Sequence, residues 1–197
     1  MFVTFEGLDG SGKTTQAELL AEALRLERRD VVVTREPGGT RLGEQVRTIL
    51  LDGYEMSPWA EAALFAAARA ELVERVIAPS LESGRDVVCD RYIDSSLAYQ
   101  GIARSLGVER VLELNLNATR GLLPDRTFLV LVDPQTAIAR TTGTDRIERE
   151  GLAFHHAVDS AYRALAEMFP NRIVTVDGAQ PAADIAEEIR GRVRDLS

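Results

Sequence analysis

Phe2-Val3-Thr4-Phe5-Glu6-Gly7-Leu8-Asp9-Gly10-Ser11-Gly12-Lys13-Thr14 decides the fold of this chain. A strand-like apolar run leads into the spacing G-x-x-x-x-G-K-[ST], the phosphate-binding P-loop. Its glycines let the backbone turn N–H groups toward phosphate oxygens, and the start of the following helix adds the positive end of its dipole. Lys13 is the only lysine in 197 residues; the other 22 basic side chains are arginine. A compact ammonium acts here as a point charge on the β/γ-phosphates, whereas a planar guanidinium suits a differently shaped cavity. By itself the loop specifies an NTPase or a kinase.

A net charge of −8 and a pI near 4.9 argue against a nucleic-acid surface, which carries a basic patch. The bound anion should therefore be small and held locally. With 45 % hydrophobic and 27 % charged residues, 197 residues suit a single α/β domain spanning 1–197 with a full core. No repeat, low-complexity tract or linker divides it. Cys89 is the one cysteine and sits in the apolar run Val87-Val88-Cys89, so it reads as a buried strand thiol. No apolar stretch approaches the ~18 residues of a membrane span, and Met1 leads straight into strand-like sequence. The expectation is a soluble, cytoplasmic protein with neither a nucleic-acid nor a membrane partner.

Five apolar runs read as buried strands: Phe2–Glu6, Val31–Thr34, Asp86–Asp90, Thr127–Val132 and Arg172–Val176. Helical patterns separate them, over Thr14–Leu26, Arg41–Leu51, a long stretch from the Ser57-Pro58 start to Glu82, Val108–Asn115, Pro134–Thr141, Ile147–Met168 and Pro181–Asp195. Strands alternating with helices over short connections predict a five-stranded parallel sheet flanked by helices. Ligands of such sheets bind beyond the carboxyl ends of the strands. Gly7–Thr14, Arg35–Thr40 and Asp90–Gln100 all fall there.

Val87-Val88-Cys89-Asp90 has the form of a Walker B strand, whose acid would hold Mg²⁺ opposite the Thr14 hydroxyl. A strand-end turn acid has the same pattern. Arg91 follows at the sheet mouth, where its planar fork suits a second phosphate group. In the long helix Phe65, Arg69, Leu72 and Val76 share one face. A charge in an apolar stripe needs a partner or a ligand. Either Phe65 and Arg69 hold two aspects of one base, or Phe65 is core and Arg69 pairs with Glu61 or Glu74. Arg140, Arg146 and Arg149 cluster around the polar Thr141–Thr144. Such a segment can close over a nucleotide as a lid, or form a solvated face laced with Glu148 and Glu150. His155-His156 has no acid or cysteine at ligand spacing and reads as ordinary helix.

Assembled, these segments resemble the bacterial thymidylate kinases of the P-loop nucleoside monophosphate kinase family, nearly end to end. The resemblance rests on Glu6–Thr15, Thr34-Arg35-Glu36-Pro37-Gly38-Gly39-Thr40, Phe65-Ala66-Ala67-Ala68-Arg69, Asp90–Gly101 and Asp145-Arg146-Ile147-Glu148. It implies transfer of the ATP γ-phosphoryl to dTMP with Mg²⁺, the family's kinase fold, and a homodimer. In this chain Gly7, Leu8, Asp9, Gly10, Ser11, Gly12, Lys13, Thr14 and Thr15 would hold ATP, with Thr14 and Asp90 on the metal. Asp9 would accept from the sugar 3′-OH, Phe65 would stack on thymine, and Arg69 would bond its carbonyl edge. Ser96 and Gln100 would complete the base pocket, with Tyr99 near C2′. Arg35, Arg47 and Arg91 would surround the dTMP phosphate, and Glu36-Pro37 would line the pocket.

Family members place the transition-state arginine either in the P-loop or in the lid. This loop contains none, so a lid arginine must serve around 140–150, with Arg146 first and Arg140 second. Two features depart from the bacterial pattern. The lid run is only Arg140-Thr141-Thr142-Gly143, and Ala157 and Asp159 occupy positions where relatives commonly carry arginine. A nucleotide-switch GTPase would need Asn-Lys-x-Asp, which the single lysine excludes. Acidity and length oppose a nucleic-acid motor. The nearest rival is a kinase for another nucleoside monophosphate or for a deoxynucleoside.

Overall fold

The computed structural model describes residues 1–52, 54–141 and 145–196. Five strands, β1 (Phe2–Glu6), β2 (Val31–Arg35), β3 (Asp86–Asp90), β4 (Arg126–Leu131) and β5 (Ile173–Asp177), form one sheet in the order β2-β3-β1-β4-β5. Every pairing is parallel, as the alternating pattern predicted. β1 lies at the centre and all five of its residues are buried; the edge strands β2 and β5 are only partly covered.

Period-two alternation sends β1 side chains to two cores. Val3 and Phe5 pack with Val88 and Phe128 beneath α1 (Lys13–Leu26) and α9 (Ala182–Arg194), which contribute Leu20, Leu24, Ile185 and Ile189. Phe2 faces the other side and meets Val87, Cys89, Leu72 and Ile77. There α3 (Pro58–Leu72) continues through a π-helical turn, Val73–Ile77, into α4 (Ala78–Glu82). Pro79 explains the wider turn. Proline lacks an N–H and its ring crowds the carbonyl four residues back, and Ala78 N–H reaches back to the Val73 carbonyl.

The sequence pattern left Ile93–Ala103 without a helix, yet α5 (Ile93–Ser96) runs into a second π-helical segment, Leu97–Ala103. Leu97, Ala98 and Tyr99 are buried there against Val158, Tyr162 and Leu165 of α8 (Leu152–Met168). Tertiary packing, not local periodicity, holds this helix. The helix predicted from Ile147 begins later, at Leu152, because Asp145 Oδ1 accepts from the Ile147 and Glu148 N–H groups and closes a separate turn. The remaining helices are α2 (Arg41–Asp52), α6 (Val108–Thr119) and α7 (Pro134–Ala139). Thr142, Gly143 and Thr144 of the expected lid lie outside the described residues. No helix among the described residues is long and apolar enough to cross a membrane.

Candidate active site

The loop between β1 and α1 needs its glycines. Gly7 and Gly10 have φ of 141° and 80°, a region open to glycine at little cost. A Cβ at Gly10 would fall 2.2 Å from the Ala137 carbonyl oxygen, and at Gly7 2.5 Å from that of Val130. Gly12 caps α1 without a side chain and the first turn holds no acid, so the helix start is left to an external anion. Lys13 is buried, donating to Asp9 Oδ1 at 3.0 Å and the Leu8 carbonyl at 3.2 Å. Arg91 Nη2 reaches the same Asp9 oxygen at 2.7 Å. Burial alone would raise the Asp9 pKa; the guanidinium of Arg91 and the ammonium of Lys13 outweigh it and hold the carboxyl well below the usual range. One carboxylate oxygen thus bridges the cation of the loop and the cation of the neighbouring strand end.

Thr14 Oγ1 donates to Asp90 Oδ2 at 2.5 Å, while Asp90 Oδ1 and Ser11 Oγ are buried without a hydrogen-bond partner. A hydroxyl beside a carboxylate with an unused oxygen fits Mg²⁺. That ion takes one or two protein ligands and completes its shell with water and phosphate. Accordingly, no cluster of three or more His, Cys, Asp or Glu able to hold a metal exists among the described residues.

Beyond β2 and β3 lies a cavity whose lining includes Asp9, Pro37, Arg47, Phe65, Arg91, Ser96, Tyr99 and Gln100. These eight were expected around the acceptor. Glu36, Leu51, Ser95, Asp145 and Ile147 complete the lining. The Glu36-Pro37 peptide is cis, and Arg47 Nη1 donates to the Pro37 carbonyl at 3.0 Å. Arg91 has a φ of 69°, a conformation rare outside glycine that clusters at functional sites. Its Nη1 is shared between Ser95 Oγ (3.0 Å) and the Tyr162 hydroxyl (3.1 Å). Buried Glu6 accepts from both hydroxyls and from the Tyr92 and Ser95 N–H groups, locking α5 and Arg91 to the end of β1. Burial, first, and Asp94, second, push the Glu6 pKa up.

Two arginines expected on the acceptor sit elsewhere. Arg35 faces outward on Glu44 at 3.3 Å, lining a neighbouring cleft with Thr14 and Asp90. Arg69 is 1 % exposed beneath the pocket rather than in its lining. Its Nε and Nη2 lie 2.7 and 2.6 Å from Glu36 Oε2, and Nη2 also donates to the Tyr92 carbonyl at 2.8 Å. Nη1 donates to Ser96 Oγ at 2.9 Å and to Asn115 Oδ1. Each of its three nitrogens is bound within the protein, and the group is not part of the pocket lining. Its partner is Glu36, neither of the two carboxylates considered from helix spacing. Burial pushes the Glu36 pKa up to about 7 against the pull of Arg69.

The lid arginines also change places. Arg146 donates from its backbone N–H to the Leu51 carbonyl (2.8 Å), from Nε to Leu50 (2.9 Å) and from Nη2 to Glu61 Oε2 (2.6 Å). It caps the last carbonyls of α2. Arg140 is the one that reaches the P-loop, with Nη1 3.4 Å from the Gly10 carbonyl. Arg140 also lines a cleft with Ser11, Gly12, Thr15, Gly178 and Gln180. Arg149 is exposed and turns back on the Asp145 carbonyl. His155 is buried in α8, His156 is exposed, and Asp159 pairs with Arg163 at 2.8 Å.

The description "Thymidylate kinase" belongs to the family model that matches residues 5–189. A thymidylate kinase from Exiguobacterium sp. is 47 % identical over 194 residues, 96 % of this chain and 92 % of the relative. One from Caldanaerobacter subterraneus subsp. tengcongensis is 50 % identical over 182 residues, 91 % and 88 % of the two chains. The crystal structure of a thymidylate kinase from Ehrlichia chaffeensis superposes with a TM-score of 0.81 at 34 % identity, covering 100 % of this chain and 98 % of that one. With Lys13 of the P-loop and Arg91 of the neighbouring strand end meeting on one carboxylate, and likeness along almost the whole length, the chain belongs to the thymidylate kinase family.

Proposed function

We propose that this protein transfers the γ-phosphoryl group of ATP to dTMP, releasing ADP and dTDP. The observation that carries the proposal is the Asp9 bridge. Lys13 on the donor side and Arg91 on the acceptor side already converge on one oxygen, as they must on two phosphates about to react. An oxygen of the dTMP phosphate attacks the γ-phosphorus, and the bond to the β,γ-bridging oxygen breaks with its electron pair leaving on ADP. Little covalent work falls to the protein, so rate comes from alignment and charge neutralisation.

Arg91 and Arg47 grip the acceptor phosphate, Phe65 stacks on thymine, and Tyr99 crowds C2′. Asp9 takes the sugar 3′-OH once the phosphates draw Lys13 and Arg91 away. Lys13 and the loop N–H groups hold the ATP phosphates. Thr14 and Asp90 would hold Mg²⁺, which would supply positive charge to offset that of the phosphates. Arg140, already on the P-loop carbonyl, supplies the further positive charge to the moving phosphoryl. Arg146 fixes the far arm of the lid. The enzyme acts as a homodimer, as the resemblance implies, and in the cytoplasm, in line with the sequence's lack of a long apolar stretch.

An ADP-release assay across dTMP, dUMP, dCMP, dGMP and thymidine tests the reading. The highest kcat/KM should fall to dTMP. Better turnover of any other acceptor sinks it and revives a kinase for a different monophosphate or a deoxynucleoside.

A further inference from the structure

Glu61 stands in the first turn of α3, outside the pocket lining, yet it is 2 % exposed and donors converge on both its oxygens. Gln100 Nε2 donates to Oε1 at 2.8 Å, and Arg146 Nη2 donates to Oε2 at 2.6 Å. Arg104 spans the two oxygens with Nε and Nη2, each at 3.4 Å, and its Nη2 also holds Glu150 at 2.6 Å. Two guanidinium groups thus lie against this carboxylate. A carboxylate only accepts, so Gln100 must present its NH₂ end to Glu61. Its carbonyl oxygen is then the end that remains for the cavity it lines.

Next to it, Ser96 Oγ accepts from Arg69 at 2.9 Å, which leaves the hydroxyl hydrogen free to donate. An acceptor beside a donor matches the imide edge of thymine or uracil, where N3–H adjoins a carbonyl. Cytosine presents a lone pair at N3 and would face the Gln100 oxygen with like polarity. With the amide reversed, the preference would reverse as well.

We propose that Glu61 is a positioning residue that sets the polarity of base recognition, holding Gln100 with its oxygen toward the ring before any nucleotide arrives. The assignment rests on the reading of the cavity as the dTMP site and names what makes that site read an imide. The same carboxylate secures Arg146, so the base reader and the far arm of the lid share one anchor.

The test compares kcat/KM for dTMP and dCMP in wild type, Glu61→Gln and Glu61→Asp. A glutamine at 61 can offer either end of its amide, so Gln100 is free to turn. An aspartate keeps the counter-charge for Arg104 and Arg146 but withdraws from Gln100 by one methylene. In both variants the dTMP-over-dCMP ratio should fall by about tenfold or more, with KM for ATP unchanged. A folded variant that keeps the wild-type ratio overturns the proposal, whatever its melting temperature. Should neither variant fold, the wild type decides through NMR exchange of the Gln100 side-chain amide hydrogens. Protection already present without nucleotide supports a preset amide, and protection appearing only with dTMP overturns it. If dTMP is not the best acceptor of the wild type, the functional reading itself fails; a correct preference with an unchanged ratio in the variants removes only the role of Glu61.

Discussion

The P-loop and the floor of the acceptor pocket both bury charge, and they treat it in opposite ways. Around the loop, bonding capacity is left over: Ser11 Oγ and Asp90 Oδ1 have no partner, and the first turn of α1 has no side-chain cap. Under the pocket, each nitrogen of Arg69 is bound by Glu36, Tyr92, Ser96 or Asn115, and the one oxygen left without a partner, Glu36 Oε1, belongs to a residue that lines the pocket. Unsatisfied buried polar atoms cost stability, and those of the loop lie where a ligand can complete them. Saturated ones hold the frame. The contrast separates residues that meet substrate from residues that hold those residues.

The comparison breaks most readily at Lys13. Lys13→Arg, conservative in charge, should lower kcat by ~10²–10³-fold while urea denaturation reports nearly unchanged stability. Near-normal turnover would show that the loop does not need a point charge. On the saturated side, Arg69→Ala strands Glu36 in the interior and should cost roughly 3–5 kcal/mol of unfolding free energy. A stable variant whose only defect is weak dTMP binding would return Arg69 to the base edge. Arg140→Ala should reduce kcat by ~10–100-fold with little loss of stability. Arg146→Ala should do the reverse, losing about 1–3 kcal/mol of stability with a smaller effect on kcat than Arg140→Ala. Interchanged outcomes would restore the lid role to Arg146.

The smallest effect concerns pH. The Glu36 pKa rises from 4.5 to about 7 on folding, mainly through burial. Between those values the folded state binds more protons than the unfolded chain, so stability is full below the lower value and is lost as pH rises through the upper one. Glu6 shifts in the same direction. The melting temperature should therefore fall across that window. Glu36→Gln should make the decline shallower, and an identical slope in both proteins would mean that Glu36 is already ionised throughout.

The parallel sheet was legible because each strand carries its own apolar run, and the loop because its glycines and lysine are adjacent in sequence. The pocket lining was legible through the resemblance at Phe65, Arg91, Ser96, Tyr99 and Gln100. The roles of Arg69 and Arg146 were not, since their partners are distant: Glu36 lies 33 residues before Arg69, and Glu61 lies 85 before Arg146. An isolated sequence shows that a buried charge requires a partner without showing which one. Ile93–Ala103 escaped for a related reason. Its Ser-Ser and Tyr-Gln-Gly steps carry no helical period, and its helix exists because α8 covers it.

A single lysine also makes the donor site a built-in reporter. Lys13 bears the only ε-amine of these 197 residues and is 6 % exposed, so acylation of a side-chain amine can happen at one place only. A protease that cleaves after lysine has likewise one bond to cut, Lys13–Thr14, at the junction of loop and helix. Both reactions need that junction to open. Their rates, followed by mass spectrometry as ATP is added, therefore count openings of this one loop without any engineered label.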